Sequence, residues 1–431
     1  MTNDDYGAKR RLHFACHPAP DRGSAHNKIT WHMQIHPLIT DSDTLAALCK
    51  RMAKADFVAI DTEFMRENSY WPELCLLQIS DGKEAAAIDP KAPGLDMGPL
   101  LDLMVDNEDV LKVFHAGGQD IEIIFNLTGK TPHPLFDTQI ASMALSQGEQ
   151  IGYSNLVDAW LGITLDKGAR FTDWARRPLD KRQIDYAIGD VTHLATIFPM
   201  MLEELRKTGR GVWLDQEMER VADPSNYSVA PDEAWQRVRM SSRKAEVLGR
   251  LKALAAWRER EAQDKNLPRG RIVKDETLGD LATHPPRAQE DLGKVRGLSA
   301  SWKGNDIGAR LMAALATAQP LPKEEMPERD ASRPGLGKEG ALVADLLKLL
   351  LKIRSREINV ASRLLARSDD LEMLAAGMRS GLPILEGWRY EQFGHEALEL
   401  VEGRMAFAVK DGKLLMTRTE KLETPVAHEA G

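Results

Sequence analysis

Residues 57–64 read FVAIDTEF, a strand-forming apolar run that ends in two carboxylates one residue apart. Side chains alternate along a strand, so Phe57, Ala59, Asp61 and Glu63 point to one face. Two neighbouring anions repel and resist desolvation, which calls for a positive charge between them. By itself the pair also fits a strand running out into an acidic turn. VFHAGGQDIEIIF (113–125) places Asp120 where a strand turns through Gly117 and Gly118 into a helix. There a carboxylate also serves as an ordinary helix cap or first-turn charge. QIDYAIGDVTHL (183–194) puts Tyr186 and Asp190 four apart on one helix face, with His193 one turn above Gly189. That pair also fits a buried tyrosine with a polar partner.

Taken together and in this order, the three segments are more specific. Four carboxylates meeting in one pocket need cations, and an all-oxygen ligand set selects hard divalent ions such as Mg²⁺ or Mn²⁺. Two such ions about 4 Å apart activate a water and stabilise the leaving oxygen of an in-line attack on phosphorus. The expected chemistry is two-metal phosphodiester hydrolysis.

These residues need elements to carry them. Met33 opens a strand, then a helix capped by Asp41 or Ser42. Strand-like runs follow at 57–64, 74–80, 84–89 and 110–116, with a helix at 95–106 before the last. The first gaps are of hairpin length, whereas the last strand follows a helix, as a parallel crossover requires. The expectation is an α/β domain over 33–215, a mixed five-stranded sheet with flanking helices. Beyond 232 the pattern is helical, interrupted by a Pro-, Gly- and charge-rich linker at 319–340. A second helical unit runs from 341, and MAFAVKDGKLLMTRT (405–419) reads as a hairpin around Asp411-Gly412. Residues 1–32 lack periodicity and read as a disordered extension.

Length and composition bound the rest. A chain of 431 residues implies two or three domains. Its longest apolar stretches are broken by charge and its start lacks a signal-peptide pattern, so a cytoplasmic location is expected. Cys16, Cys49 and Cys75 have no metal-ligand spacing and read as reduced thiols. A net charge of -8 argues against coating nucleic acid by bulk charge but permits a local basic groove.

The motifs AIDTEFMRENSYWPELCLLQIS (59–80), VFHAGGQDIEIIF, PLFDTQIAS (134–142) and FTDWARRPLDKRQIDYAIGD (171–190) closely resemble the ribonuclease D family of the DEDD 3′-to-5′ exonuclease superfamily. The resemblance runs from about Met33 to Thr419 and implies a ribonuclease H-like fold. It also implies that Asp61, Glu63, Asp120 and Asp190 are metal ligands. Asp61 then bridges two ions, Glu63 and Asp190 hold the ion on the nucleophile side, and Asp120 holds the second through water. Tyr186 marks the tyrosine subclass; a phenol with pKa near 10 is a poor base at neutral pH, so it orients the attacking water. Phe64 and Ile123 match positions that sandwich the terminal base, and Lys167 matches a phosphate contact. Each of these three also fits a plainer role, core packing for Phe64 and Ile123 and an exposed lysine for Lys167.

Residues 232–318 resemble an HRDC domain and 341–402 a second, diverged HRDC-like unit. Eight cations, from Arg237 to Arg260, suggest either a basic face that guides RNA or a solvated helix face, since Glu246, Glu259 and Glu261 are interleaved. The implied function is a 3′-to-5′ exoribonuclease, acting as a monomer on single-stranded RNA 3′ ends, tRNA precursors above all, and releasing 5′-mononucleotides. A DNA exonuclease of proofreading or repair type shares the carboxylates, and a non-catalytic nucleic-acid scaffold is the third reading. No G-x-x-x-x-G-K-[ST] occurs, which disfavours a helicase.

Overall fold

The computed structural model describes residues 33–166, 168, 172–326 and 336–419. The expected extension at 1–32 and the middle of the expected linker lie outside the described residues. The described chain divides into two compact units. The first takes in the described residues of Met1–Thr138, Val157–Met200 and Glu217–Pro327; the second takes in Gln139–Leu156, Met201–Gln216 and the described residues beyond Glu328.

The first unit holds a mixed sheet of six strands in the order β1-β4-β3-β2-β5-β6. These are β1 (Gln34–Ile35), β2 (Phe57–Met65), β3 (Glu73–Ser80), β4 (Glu84–Ile88), β5 (Leu111–Phe114) and β6 (Leu135–Asp137). β2 pairs antiparallel with β3 and parallel with β5, as the hairpin gap and the helical crossover require. The expectation of five strands is corrected to six. β6 has only three residues, LFD, with no alternation to read, and it becomes a strand by pairing with β5.

Helices α1 (Ser42–Met52), α2 (Gly98–Val105) and α3 (Gly118–Thr128) intervene between strands. Asp41 is the cap of α1, accepting from the Thr44 N–H at 2.9 Å. After β6 come α4 (Thr138–Ala144), α5 (Tyr153–Leu161) and the long α6 (Lys181–Thr208). β2 buries Val58, Ala59 and Ile60 completely, so the strand is covered on both faces until it reaches Asp61.

The remaining helices of the first unit are α7 (Asp215–Ala222), α8 (Ala245–Asp264), α9 (Arg269–Ile272), α10 (Asp275–Thr283) and α11 (Asp306–Ala316). Val247, Leu248, Leu251, Leu254 and Trp257 form the buried stripe of α8. The second unit includes α12 (Lys338–Glu357), α13 (Ser362–Leu365), α14 (Ser368–Ala375), α15 (Gly387–Arg389) and α16 (His395–Val401) around Leu347, Leu350, Leu374 and Phe393. It ends in the antiparallel hairpin β7 (Met405–Lys410) and β8 (Lys413–Arg418), turned at Asp411 and Gly412, both with positive φ. Cys49 and Cys75 are buried free thiols, and no described helix is long and apolar enough to cross a membrane.

Candidate active site

The site begins on β2. Phe57 packs against Phe198 of α6 with ring centroids 4.7 Å apart. From Phe57 to Asp61 the strand rises about 13 Å; from Phe198 back to Asp190 the helix spans about 12 Å, and residues eight apart share a face. A helix running back alongside the strand from the aromatic pair therefore brings Asp190 to Asp61. Ligand oxygens of Asp61, Glu63 and Asp190 all lie within 4.8 Å of one another. The β2–β3 register shifts between Glu63 and Phe64, so the strand changes course just past the second carboxylate.

Asp120 comes from the other side. Thr62, on the opposite face of β2 from Asp61 and Glu63, donates its hydroxyl to the Asp120 carboxylate. Asp120 is thus held just outside the group of three. It stands in the first turn of α3, where the helix N-terminus favours negative charge. A tight turn brings the helix there. A Cβ on Gly117 would meet the Phe114 Cβ at 2.5 Å, and Ala116 has a φ of 55°. Asp137 of β6 accepts from the Ala116 N–H at 3.1 Å and the Gly117 N–H at 2.9 Å. Thr138 donates to the Phe114 carbonyl at 3.0 Å.

Burial pushes the Asp61 carboxyl well above the usual carboxylate range, reinforced by the charges of Asp120, Asp190 and Glu63. Burial also raises Asp120, to about 6, against the opposing pull of the Thr62 hydrogen bond. Although Asp120 stands apart, its charge acts on Asp61, so the four carboxylates share one field. A converging all-oxygen set with this much unrelieved negative charge fits a divalent cation. Gln78, fully buried and paired across the strands with Asp61, has no hydrogen-bond partner for its amide among the described residues.

Tyr186 lies one turn before Asp190 on α6, its ring 6.3 Å from that of Trp174. It packs with Cys75, Leu76 and Leu179. The Trp174–Leu179 stretch is fixed by Arg177, which binds both oxygens of Asp89 at 2.7 Å, the Cys75 carbonyl at 2.6 Å and the Trp174 carbonyl at 2.7 Å. Phe64 is half-buried, while Ile123, on the buried face of α3, keeps only 1% of its surface exposed. Lys167 lies outside the described residues.

Sequence reading passed over Thr62, Asp137 and Arg177. Each sits inside a motif already quoted, at a polar position within an apolar or aromatic run. Their partners lie 58, 20 and 88 residues away in the chain, so spacing carries no sign of the contacts.

A family model described as 3′-5′ exonuclease matches residues 37–206, and one described as HRDC domain matches residues 247–315. A ribonuclease D of Sphingobium indicum is 80% identical over 90% of this chain and 100% of its own length. One of Zymomonas mobilis subsp. mobilis is 69% identical over 90% of this chain, again over its whole length. The crystal structure of Escherichia coli RNase D, described as an exoribonuclease involved in structured RNA processing, superposes with a TM-score of 0.70. It is 30% identical and covers 86% of this chain and 98% of its own.

Proposed function

The chain belongs to the ribonuclease D family of 3′-to-5′ exoribonucleases, and from that premise we propose how its own residues perform the hydrolysis. The observation that carries the reading is the convergence of Asp61, Glu63 and Asp190 one helical turn from Tyr186. Those three carboxylates, with Asp120 behind Thr62, would hold two divalent ions, Mg²⁺ or Mn²⁺. Bound there, such ions supply Lewis acidity to water and to the leaving oxygen. Tyr186 orients the attacking water from its seat against Trp174. Arg177 holds the Trp174 loop, and with it that seat. Asp137 holds the turn that aims Asp120. Phe64, half-buried, stacks on the terminal base. Ile123 supports this from within the core rather than by broad contact, because so little of it is exposed.

The substrate class is RNA with a single-stranded 3′ end, including tRNA precursors, and the products are 5′-mononucleotides. We assign the chain to the cytoplasm as a monomer, with residues 33–215 as the exonuclease domain, 232–318 as the HRDC domain and 341–419 as a second HRDC-like helical unit with its hairpin. A time course on matched 5′-labelled RNA and DNA strands tests the reading, with Mn²⁺, Mg²⁺ or EDTA, alongside Asp61→Ala. RNA shortening from the 3′ end that EDTA and the substitution both abolish is the expected result. Equal digestion of DNA would reassign the protein to repair or proofreading chemistry.

A further inference from the structure

Of the eight cations between Arg237 and Arg260, the four on α8 are engaged within the protein. Arg250 donates to the Ala282 carbonyl at 2.6 Å, and Lys252 pairs with Glu325. Arg258, with a side chain only 4% exposed, binds Asp275 at 2.6 Å, and Arg260 faces Asp232 at 3.5 Å. The helix face is therefore not a free basic stripe. The unengaged cations precede the helix. Arg237, Arg239, Arg243 and Lys244 are exposed, and among the described residues their side chains have no ion pair or hydrogen bond.

These residues flank an extended stretch, with Val238 at φ -90° and ψ 117° and Lys244 at φ -76° and ψ 129°. From Val238 on, alternation sends Val238 and Met240 inward and leaves Arg239, Ser241 and Arg243 outward, while Arg237 is exposed at the end of the preceding 3-10 helix. Arg239 and Arg243, four residues apart on such a chain, stand about 13 Å apart, the span of two steps between phosphates of an extended single strand.

Beside this row lies a cavity of about 360 Å³. Its floor includes Trp235, Val238 and Met240, and its rim carries Gln236, Ser242 and Arg243. Glu325 also reaches it, but its charge is matched by Lys252. An apolar, aromatic floor with a few polar groups at the edge is the lining that accepts a flat heterocycle. Arg243 in its lining, with Arg239 exposed on the same stretch and neither paired among the described residues, favours an anion there.

We propose that residues 235–244 and this cavity form a subsite for single-stranded RNA, one nucleobase entering the cavity while two phosphates, separated by one more, lie on Arg239 and Arg243. The proposal rests on the exoribonuclease reading and names where that enzyme holds the part of the RNA it has not yet cut.

The test measures equilibrium binding of a 5′-labelled single-stranded RNA to full-length Asp61→Asn protein over a series of salt concentrations. Each phosphate neutralised on a single strand contributes about 0.7 to the slope of log affinity against log salt, so Arg239→Ala with Arg243→Ala should flatten it by about 1.4. An unchanged slope would overturn the subsite. A second arm compares RNA with a strand of equal length lacking bases. Ser242→Trp, which fills the cavity and leaves the arginines in place, should erase the preference for the base-bearing strand. A preference that survives in the folded variant would overturn the base cavity. The protein with Asp61 intact is run on the same RNA with Mn²⁺. Digestion there together with an unchanged slope sinks the subsite alone, while absence of digestion sinks the exoribonuclease reading.

Discussion

At the scale of single residues, the site is a problem of negative charge. Asp61 and Asp120 both hold protons more tightly than free carboxyls, chiefly because they are buried. A carboxyl whose pKa rises on folding keeps a proton that the unfolded chain has already released. Metal-free protein should therefore lose stability as pH climbs through the interval from 3.8 to about 6 that Asp120 spans. Protons and divalent ions compete for the same oxygens, so the rise in Tm on adding Mn²⁺ should be larger near pH 7.5 than near pH 5. An equal rise at both values would contradict this account. Tyr186→Phe keeps the ring beside Trp174 and removes only the hydroxyl. It should lower kcat by about 100-fold with little change in KM, the pattern of a group that acts on the attacking water. A matched rise in KM would place the phenol in substrate binding instead.

At the scale of elements, two junctions aim the carboxylates. One is the β5–α3 turn, where Gly117 approaches Phe114 too closely for any side chain. Gly117→Ala should cost about 1–3 kcal/mol by overpacking, read from denaturant unfolding, and should weaken metal binding because α3 carries Asp120. Unchanged metal affinity in a folded variant would show that the turn does not position Asp120. The other junction is α6 against β2, pinned by Phe57 on Phe198. The helix periodicity in the sequence places Tyr186 and Asp190 on one face, but which strand residues that face meets depends on the aromatic contact. The short β6 illustrates the same limit: its Asp137 serves the turn before α3 only because β6 pairs beside β5.

At the scale of the molecule, the loop between β2 and β3 ties the carboxylate-bearing strand to the HRDC helices of the same unit. Tyr70 donates its hydroxyl to Glu259 of α8, which is fully buried and held by Arg269 through two contacts of 2.6 Å. Arg269 also lies over the Tyr70 ring, 4.7 Å from its centre, and Asn266 accepts from the Tyr70 N–H at 3.0 Å. Burial, with Glu259 beside it, pushes the Tyr70 phenol up to about 12, so it remains a donor at neutral pH. Earlier in the loop, Arg66 grips Glu122 of α3 at 2.6 and 2.8 Å. Tyr70→Phe and Glu259→Gln should each destabilise by about 1–3 kcal/mol, since each strands a partner in a buried network. Combined, they should show a coupling energy of about 0.5–3 kcal/mol in a double-mutant cycle. Strict additivity would mean that loop and helix are held independently.

The sequence alone determined the chemistry and the order of the parts. Carboxylates at the end of an apolar strand, at a glycine turn and on a late helix face are local patterns, set by periodicities of two and 3.6 residues. For the same reason the antiparallel and parallel pairings of β2 were legible from gap lengths, and the closing hairpin from Asp411-Gly412. Tertiary structure alone decided that three carboxylates converge while Thr62 holds the fourth aside. It also decided that a three-residue segment becomes a sixth strand, and which cations of the helical half remain unpaired among the described residues. Those outcomes depend on contacts between residues distant in the chain, such as Tyr70 with Glu259 or Arg177 with Asp89, where packing rather than spacing sets the partner.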